Sequence, residues 1–211
     1  MTGTWPWIAL AGLGAFHGLN PAMGWLFAVA LGLQRQRREA VLQALLPIAL
    51  GHALAISLVV LIVSALRAVI DLRVLELACA TVLIGFGVYR LVARHRGRFG
   101  MQVNSAQLVL WSFLMATAHG AGLMLLPVLL GMPSVHMHGM SGVEGTATTA
   151  VAAVGIHTLA MLSVAGSVGI VVYEWLGLAF LRRGWINLDL VWVIALLGTG
   201  AILLVMALGT R

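Results

Sequence analysis

The sequence predicts an all-α integral membrane protein with six transmembrane helices, arranged as two inverted three-helix repeats. Of its residues, 62% are hydrophobic and 9% are charged, and the mean hydropathy is +1.07, whereas soluble domains carry about 25% charged residues. Six apolar runs are each long enough for a hydrocarbon core of about 30 Å. An internal repeat relates the first three runs to the last three. We therefore expect one membrane domain and no soluble domain.

The six predicted spans are separated by short polar connections. The apolar runs lie at about 5–33, 41–66, 73–93, 106–131, 147–180 and 186–208. Tryptophans favour the membrane–water interface, and six of them lie near predicted span ends: Trp5, Trp7, Trp111, Trp175, Trp185 and Trp192.

Arginine placement predicts the orientation of the chain. All 12 basic residues are Arg, and the loops divide them unequally between the two sides of the membrane. The richer side receives Arg35, Arg37, Arg38, Arg90, Arg94, Arg96, Arg98, Arg182 and Arg183. Because positive charge is retained in the cytoplasm, we expect both termini to lie outside a bacterial inner membrane. Since these arginines sit in short loops between apolar runs, the predicted partner is membrane lipid and not nucleic acid.

The two halves of the chain, 1–100 and 101–211, look like copies of each other. Three motifs recur in the same order, one per span: Phe16-His17-Gly18 with Ala118-His119-Gly120, Gly51-His52-Ala53-Leu54-Ala55 with Ile156-His157-Thr158-Leu159-Ala160, and Leu75-Glu76-Leu77 with Leu188-Asp189-Leu190. Each acidic residue is followed nine positions later by a Gly-x-Gly motif. Because three spans are an odd number, the second copy must be inserted upside down. This is the design of many secondary transporters, whose substrate site lies near the midplane between the repeats.

Four histidines are predicted to lie near the bilayer centre, two from each half: His17, His52, His119 and His157. His17, for example, follows Trp5 by twelve residues, which is about 18 Å along a helix. Ionisable groups at this depth are costly and usually face a cavity or a partner. Neutral imidazoles that converge there form a candidate transition-metal site. Two other interpretations remain open, namely hydrogen bonding of each ring to a backbone carbonyl and proton carriage.

The segment from His17 to Met23 predicts a break in the first span. Pro21 removes a backbone hydrogen bond, and Asn20 can satisfy groups that the break frees, which is a common way to build an ion site within a membrane. We expect Asn20 to assist the histidine site. For Met23 two interpretations remain open, namely assistance to the same site and apolar packing. The second half has a corresponding interruption at Gly120-Ala121-Gly122, followed by Pro127.

These motifs resemble those of the nickel/cobalt transporter (NicO-type, UreH-like) branch of the LysE-like transporter superfamily. That branch has a first-helix motif H-[AG]-x-[DG]-[AP]-D-H, a G-H-[AS] motif in the next helix and an H-G motif in the second half. The resemblance implies a transporter fold and metal transport. Where the family has Asp-His, this chain has Ala22-Met23, and Asn20 replaces an acid. This exchange disfavours Ni²⁺ and Co²⁺ and favours softer Cu(I).

Three further features have both a functional and a structural interpretation. The predicted outer loop concentrates potential metal-capturing side chains, among them His136, Met137, His138 and Met140, although it can equally be an ordinary loop. Glu76 and Asp189 are candidates for gating or proton coupling, but an acid in the first turn of a helix is also simply stabilising. A single cysteine, Cys79, excludes a dithiol relay.

The sequence thus predicts a permease and not an enzyme, with copper or nickel/cobalt as substrate and no organic cofactor. A proton-coupled exporter of a small organic solute or anion is an alternative, and so is a haem-binding electron carrier that uses histidine pairs as axial ligands. The direction of transport, the presence of a homo-oligomer and the presence of a partner subunit stay open.

Overall fold

The fold is all-helical throughout the residues described by the computed structural model, which are 4–92, 104–130, 143–176 and 188–209. For 143–146, 176 and 188–189 only the backbone is described. The α-helices are α1 Trp5–Leu19, α2 Trp25–Arg35, α3 Arg38–Arg67, α4 Leu72–Val92, α5 Ser105–Ala118, α6 Ala121–Met124, α7 Leu126–Leu130, α8 Val143–Val171 and α9 Leu188–Gly209. A 3₁₀ turn, Pro21–Met23, follows α1, and a π-helical turn, Val172–Leu176, follows α8.

Four stretches of helix are long and apolar enough to cross a membrane. They are α3, α4, the stretch Ala147–Trp175 and the stretch Leu190–Gly209. The bent combination of α5 with α6 and α7 is a fifth candidate. An all-helical architecture with several candidate membrane-spanning helices is therefore confirmed.

The structure divides the first predicted span, 5–33, into two helices. α1 has 15 residues and α2 has 11, which correspond to about 22 Å and 16 Å. Neither helix alone covers a hydrocarbon core of about 30 Å. The break has a local cause: Pro21 follows α1, and Gly24 has a φ of 120°, in the left-handed region. The side chain of Asn20 caps the intervening turn by accepting a hydrogen bond from the backbone N–H of Ala22 at 3.0 Å.

The predicted interruption in the second half is also confirmed. α5 ends at Ala118, and Gly120 has a φ of 67°, a conformation that side chains with a Cβ rarely adopt. The chain then bends by 50° between Ser105–Ala118 and Ala121–Leu130. Both helices that carry an His-Gly motif therefore end within two residues of the histidine.

α1 and α8 pack against each other backbone to backbone and run in the same direction. A Cβ on Gly14 would overlap the carbonyl oxygen of His157, and a Cβ on Gly18 would overlap that of Met161. Small residues four positions apart allow membrane helices to approach this closely. The result places His17 and His157 on neighbouring helices at the same level.

α3 and α5 form a second close pair, and they too run in the same direction. The hydroxyl of Ser112 donates to the carbonyl oxygen of Ile48 at 2.6 Å, and further along Gly122 faces Val59. A Cβ on Gly51 would overlap a backbone carbonyl oxygen of α5. His52, the next residue, is thereby held in the packed interior.

α4 and α9 form the third extensive interface and run in opposite directions. A Cβ on Gly87 would lie 2.8 Å from Leu197, and a Cβ on Gly200 would lie 2.7 Å from Ile84. The glycines allow these large side chains to pack into the facing helix. α9 also supplies Trp192 to the interior of the protein.

The beginning of α3 and the end of α8 lie on the same side of the molecule. The guanidinium group of Arg38 is 3.8 Å from a carboxylate oxygen of Glu174. An exposed ion pair of this kind contributes at most about 1 kcal/mol. Its value here is geometric, because it shows that α8 runs toward the level at which α3 starts.

Candidate metal centre

Three of the four predicted histidines meet in the interior of the helix bundle. The ring centroids of His17 and His157 are 4.9 Å apart, those of His17 and His52 are 5.6 Å apart, and those of His52 and His157 are 5.5 Å apart. The rings come from three different helices, α1, α3 and α8, and all three residues are at most 1% exposed. We call these three residues the histidine cluster.

Backbone hydrogen bonds fix the tautomer of two members of the cluster. The Nδ1–H of His17 donates to the carbonyl oxygen of Leu13 at 2.8 Å, and the Nδ1–H of His157 donates to that of Leu10 at 3.2 Å. Because a carbonyl oxygen can only accept, Nδ1 must carry the proton in each ring. In the neutral imidazole the lone pair then resides on Nε2, the state in which histidine binds metals.

The remaining ring nitrogens are buried without protein hydrogen-bond partners. Among the described residues, none forms a hydrogen bond with Nε2 of His17, Nε2 of His157 or either ring nitrogen of His52. An unsatisfied buried polar group costs about 1–3 kcal/mol. Several buried ring nitrogens without partners, on rings that contact one another, indicate a site for a ligand that accepts lone pairs.

The ring spacing agrees with the spacing expected around a single ion. With a metal–nitrogen distance of about 2.0–2.1 Å, each ring centroid lies about 3.2 Å from the metal, so tetrahedral and trigonal arrangements give centroid separations of about 5.2 Å and 5.5 Å. The donor atoms themselves are not yet converged. In the described part of the chain, no group of three or more His, Cys, Asp or Glu side chains is arranged as it stands to hold a metal ion. Coordination therefore requires the rings to reorient, while their centres already have the required spacing.

His119 reaches the cluster through the indole ring of Trp192. The centroid of this indole lies 4.7 Å from that of His17 and 5.3 Å from that of His119. The indole Nε1–H donates to the carbonyl oxygen of His119 at 2.9 Å. The Nδ1–H of His119 donates to Met115 at 2.7 Å, one turn back along α5, as His17 does along α1.

Trp192 is a residue of the site that sequence analysis missed. It was predicted to lie at the membrane interface, and this prediction is wrong, because Trp192 is 2% exposed. Its indole also stacks on Phe16, with centroids 5.3 Å apart and planes 3° from parallel. The physical reason is that the indole N–H finds a partner in the backbone carbonyl of His119, which allows the whole ring to be buried.

The other residues predicted for the site have structural roles nearby. Asn20 is buried and caps the 3₁₀ turn after α1. Met23 is buried in an apolar cluster that also contains Leu83, Trp192 and Leu196. The structure therefore places Met23 in the same apolar cluster as the indole that contacts His17.

Of the two predicted acidic residues, the side chain of only one is described. Glu76 lies in the second turn of α4 and is 2% exposed, and its Oε2 has no hydrogen-bond partner within the described ranges. Asp189 is the second residue of α9, and its side chain is outside the described residues. The predicted capture residues His136, Met137, His138 and Met140 also lie outside the described residues.

An apolar cavity of about 330 Å³ lies beside the break between α5 and α6. Its walls come from α3, α4 and the segment 116–123, which includes Gly120, next to His119. Cys79 and Thr117 are the residues with polar side-chain atoms in this wall, and the Thr117 hydroxyl donates to the carbonyl oxygen of Phe113. The cavity therefore offers almost only apolar contacts.

Comparisons with protein families, with curated proteins and with solved structures found no match to this chain.

Proposed function

We propose that this protein is a transition-metal permease with six membrane spans, in which the histidine cluster binds the ion near the midplane. The observation that carries the proposal is the set of three buried imidazoles in mutual contact, two of them held by backbone carbonyls with Nε2 as the free donor. Neutral imidazole is a common ligand of transition metals. The resemblance of the sequence motifs to nickel/cobalt transporters supports the same function.

In this proposal, the span that brings the number from five to six is the first one in the chain. It consists of α1, the 3₁₀ turn and α2 together. Discontinuous helices are typical of transporter sites, because the break exposes backbone groups and helix ends to the substrate. Here α1 ends two residues after His17. α5 ends one residue before His119, and both histidines donate from Nδ1 to the carbonyl oxygen one turn back.

The helix pairing supports an inverted repeat. α1 and α5 are the first helices of the two halves, and α3 and α8 are their second helices. A twofold axis in the membrane plane exchanges α1 with α5 and α3 with α8. The pair α1–α8 should then resemble the pair α5–α3, and in both pairs the two helices run in the same direction. The third helices should pair with each other in opposite directions, as α4 and α9 do.

One pair of contacts between α4 and α9 is self-complementary in this repeat. The alignment that matches Glu76 with Asp189 also matches Ile84 with Leu197 and Gly87 with Gly200. If Gly87 contacts Leu197, the twofold axis requires that Gly200 contacts Ile84. Both contacts are present. Such reciprocity is what twofold interfaces require.

In the proposed mechanism, one repeat rocks against the other around the fixed site, which opens it to each side in turn. The arginine-rich side faces the cytoplasm of a bacterial inner membrane, and both termini face outward. Arg38 and Glu174, which form an ion pair, then lie together on the cytoplasmic side. The metal ion and membrane lipid are the proposed partners, and the loop with His136 and His138 is proposed to collect the ion.

Single alanine substitutions in the cluster test this function. Cells that express the His17→Ala, His52→Ala or His157→Ala variant should show the metal content of cells without the protein. The change of affinity in purified protein should be at least about 100-fold, because even loss of an outer-shell group costs about 10–100-fold. Elemental analysis of cells and of protein purified without chelator provides both measurements.

Thr158→Val is the matched control for these variants. Thr158 is adjacent to His157 and buried, and its hydroxyl has no hydrogen-bond partner in the part of the chain that the structure describes. Replacing an unpaired hydroxyl with a methyl group should leave the fold intact. Metal content that is the same in all four variants and the parent would contradict the proposal.

A proton-coupled exporter of a small organic solute is the second candidate, and the apolar cavity favours it. Its volume of about 330 Å³ falls at the lower end of the range of about 300–1,000 Å³ for small-molecule sites. In that case the imidazoles carry protons. Solute flux that depends on a pH gradient, in protein that binds no metal, would select this function. A haem carrier is disfavoured because ring centroids 4.9–5.6 Å apart leave no room for a porphyrin between two axial imidazoles.

A further inference from the structure

We infer that the histidine cluster selects a soft monovalent cation, of the class of Cu(I) and Ag(I), over the divalent ions Ni²⁺ and Co²⁺. This inference rests on the proposed metal permease and concerns the charge of its substrate. Three features of the structure lead to it. The donor nitrogens are neutral, the helices that form the cluster carry no acidic residue at its level, and the aromatic ring of Trp192 packs against His17.

The donors of the cluster are neutral. The carbonyl groups of Leu13 and Leu10 hold the proton on Nδ1 of His17 and His157, and the ligand atom that remains on each ring is an uncharged nitrogen. Neutral nitrogen donors do not offset the charge of a bound ion. A complex with three such ligands keeps the full charge of the metal inside the protein.

No carboxylate of the chain is placed at the level of the cluster on the helices that form it. The chain has six acidic residues, and each lies near an end of its helix or outside it: Glu39, Asp71, Glu76, Glu144, Glu174 and Asp189. His52 and His157 each lie fourteen residues into α3 and α8, which is about 21 Å from the helix start. α1 contains no acidic residue. α1, α3 and α8 thus supply no negative charge at the level of the cluster, whereas divalent sites usually include carboxylates.

The charge of the ion then decides the energetic cost. The desolvation free energy of an ion in a low-dielectric interior increases with the square of its charge, so a divalent ion pays about four times as much as a monovalent ion of the same size. Because α1, α3 and α8 place no carboxylate at this level, these helices do not compensate the larger cost of a divalent ion. A monovalent ion is therefore the substrate that this environment tolerates best.

The remaining wall and the number of donors favour the same ions. The indole of Trp192 packs edge-to-face with the ring of His17, with centroids 4.7 Å apart, and Phe16 stacks on the same indole. The wall beside His17 is therefore aromatic and offers no oxygen ligand. Ions with a filled d shell impose no geometry and accept three donors, and soft ions suit a site without oxygen ligands.

Ion flux into proteoliposomes tests the inference, with Ag⁺ as a monovalent probe that needs no reductant. At equal concentration and in chloride-free buffer, we expect Ag⁺ to enter at least tenfold faster than Ni²⁺ or Co²⁺. His17→Ala should abolish the Ag⁺ flux, whereas Thr158→Val should keep it. Flux of Ni²⁺ or Co²⁺ equal to or faster than that of Ag⁺, with the same dependence on His17, would overturn the inference and leave the proposed permease intact. Absence of His17-dependent flux for every ion would remove both.

Asn20→Asp provides a second test that adds one charge and almost no volume. The Oδ1 atom that accepts from the N–H of Ala22 is retained, so the cap of the 3₁₀ turn should persist. Asn20 is buried and donates its backbone N–H to the carbonyl oxygen of His17 at 3.1 Å, so the new charge is added in the protein interior within one helical turn of His17 along the chain. We expect the ratio of Ag⁺ flux to Ni²⁺ flux to fall at least threefold. An unchanged ratio in this variant would contradict the argument from charge.

Discussion

A single methyl group at Gly14 tests whether metal binding depends on the close approach of α1 and α8. The Cβ of Gly14→Ala would lie well inside the van der Waals distance of the carbonyl oxygen of His157, a backbone atom that cannot rotate away. The same substitution at Gly12, two residues earlier on α1, meets no atom within 4 Å. Gly12→Ala is therefore a matched control for the chemistry of the change and for its effect on helix propensity.

The expected displacement follows from the contact distances. To restore a normal separation of about 3.5 Å, α1 has to withdraw from α8 by roughly 1 Å. The centroids of His17 and His157, now 4.9 Å apart, would then be separated by about 6 Å, beyond the spacing of about 5.2–5.5 Å that one ion requires. The Nδ1–H of His157 would also lose its bond to Leu10, which is already 3.2 Å long. Overpacking of this size costs about 1–3 kcal/mol, which lowers stability without necessarily unfolding the protein.

Titration of purified Gly14→Ala and Gly12→Ala with Ag⁺ measures the effect. We expect about 10–100-fold weaker binding for Gly14→Ala, the range found when the support of a ligand is lost, and a change of at most about threefold for Gly12→Ala. Neither substitution touches a donor atom, so any difference between them reports on helix spacing. Equal affinities in the two variants would refute the assignment of the site to the contact between α1 and α8.

Substitutions at Trp192 and at Gly120 test two elements that support the site. Trp192→Phe keeps an aromatic ring but removes the N–H that bonds to the His119 carbonyl oxygen; loss of this buried hydrogen bond should cost about 0.5–1.5 kcal/mol, and Trp192→Ala should cost about 3–5 kcal/mol through the added cavity. Thermal unfolding in detergent should rank the parent above Trp192→Phe and that above Trp192→Ala, and a Phe variant as stable as the parent would show that the hydrogen bond does not matter. Gly120→Ala places a Cβ on a residue with φ of 67° and 3.0 Å from Leu196, at a cost of about 1–2 kcal/mol. Gly85→Ala, where a Cβ meets no atom within 4 Å, should leave the unfolding temperature unchanged or raised; equal unfolding temperatures in the two variants would contradict the strained break.

Composition and residue counting predicted the class of the fold and the convergence of four histidines, of which three meet. A chain with 9% charged residues cannot cover a soluble surface of this size, so a helical membrane protein is the physical solution. The depth of His17, His52 and His157 could be counted because every residue adds a fixed rise to a helix. Similar depth on three packed helices brought the rings into contact, although depth alone does not say which face a ring occupies.

The boundaries of the first span could not be predicted in the same way. Hydropathy remains high from Trp5 to Leu33, and a window of apolar residues does not register a change of backbone direction. Pro21 indicated a break, but the 3₁₀ turn also depends on the left-handed conformation of Gly24, where a Cβ would lie 2.8 Å from Ile48 of α3. That constraint is tertiary, and it becomes visible only when α3 is in place.

Trp192 was missed because the position that matches it in the proposed internal repeat carries a different kind of side chain. The alignment that matches Glu76 with Asp189 places Cys79 opposite Trp192, so the repeat that identified the histidines gives no signal for the indole. Cys79 borders the cavity of about 330 Å³, whereas Trp192 fills the space between Phe16, His17 and His119. Matching positions thus carry a small side chain beside a cavity and a large one within a packed interior. Because a repeat shows only what its two copies share, the residue that makes them differ could be found only from the packing around it.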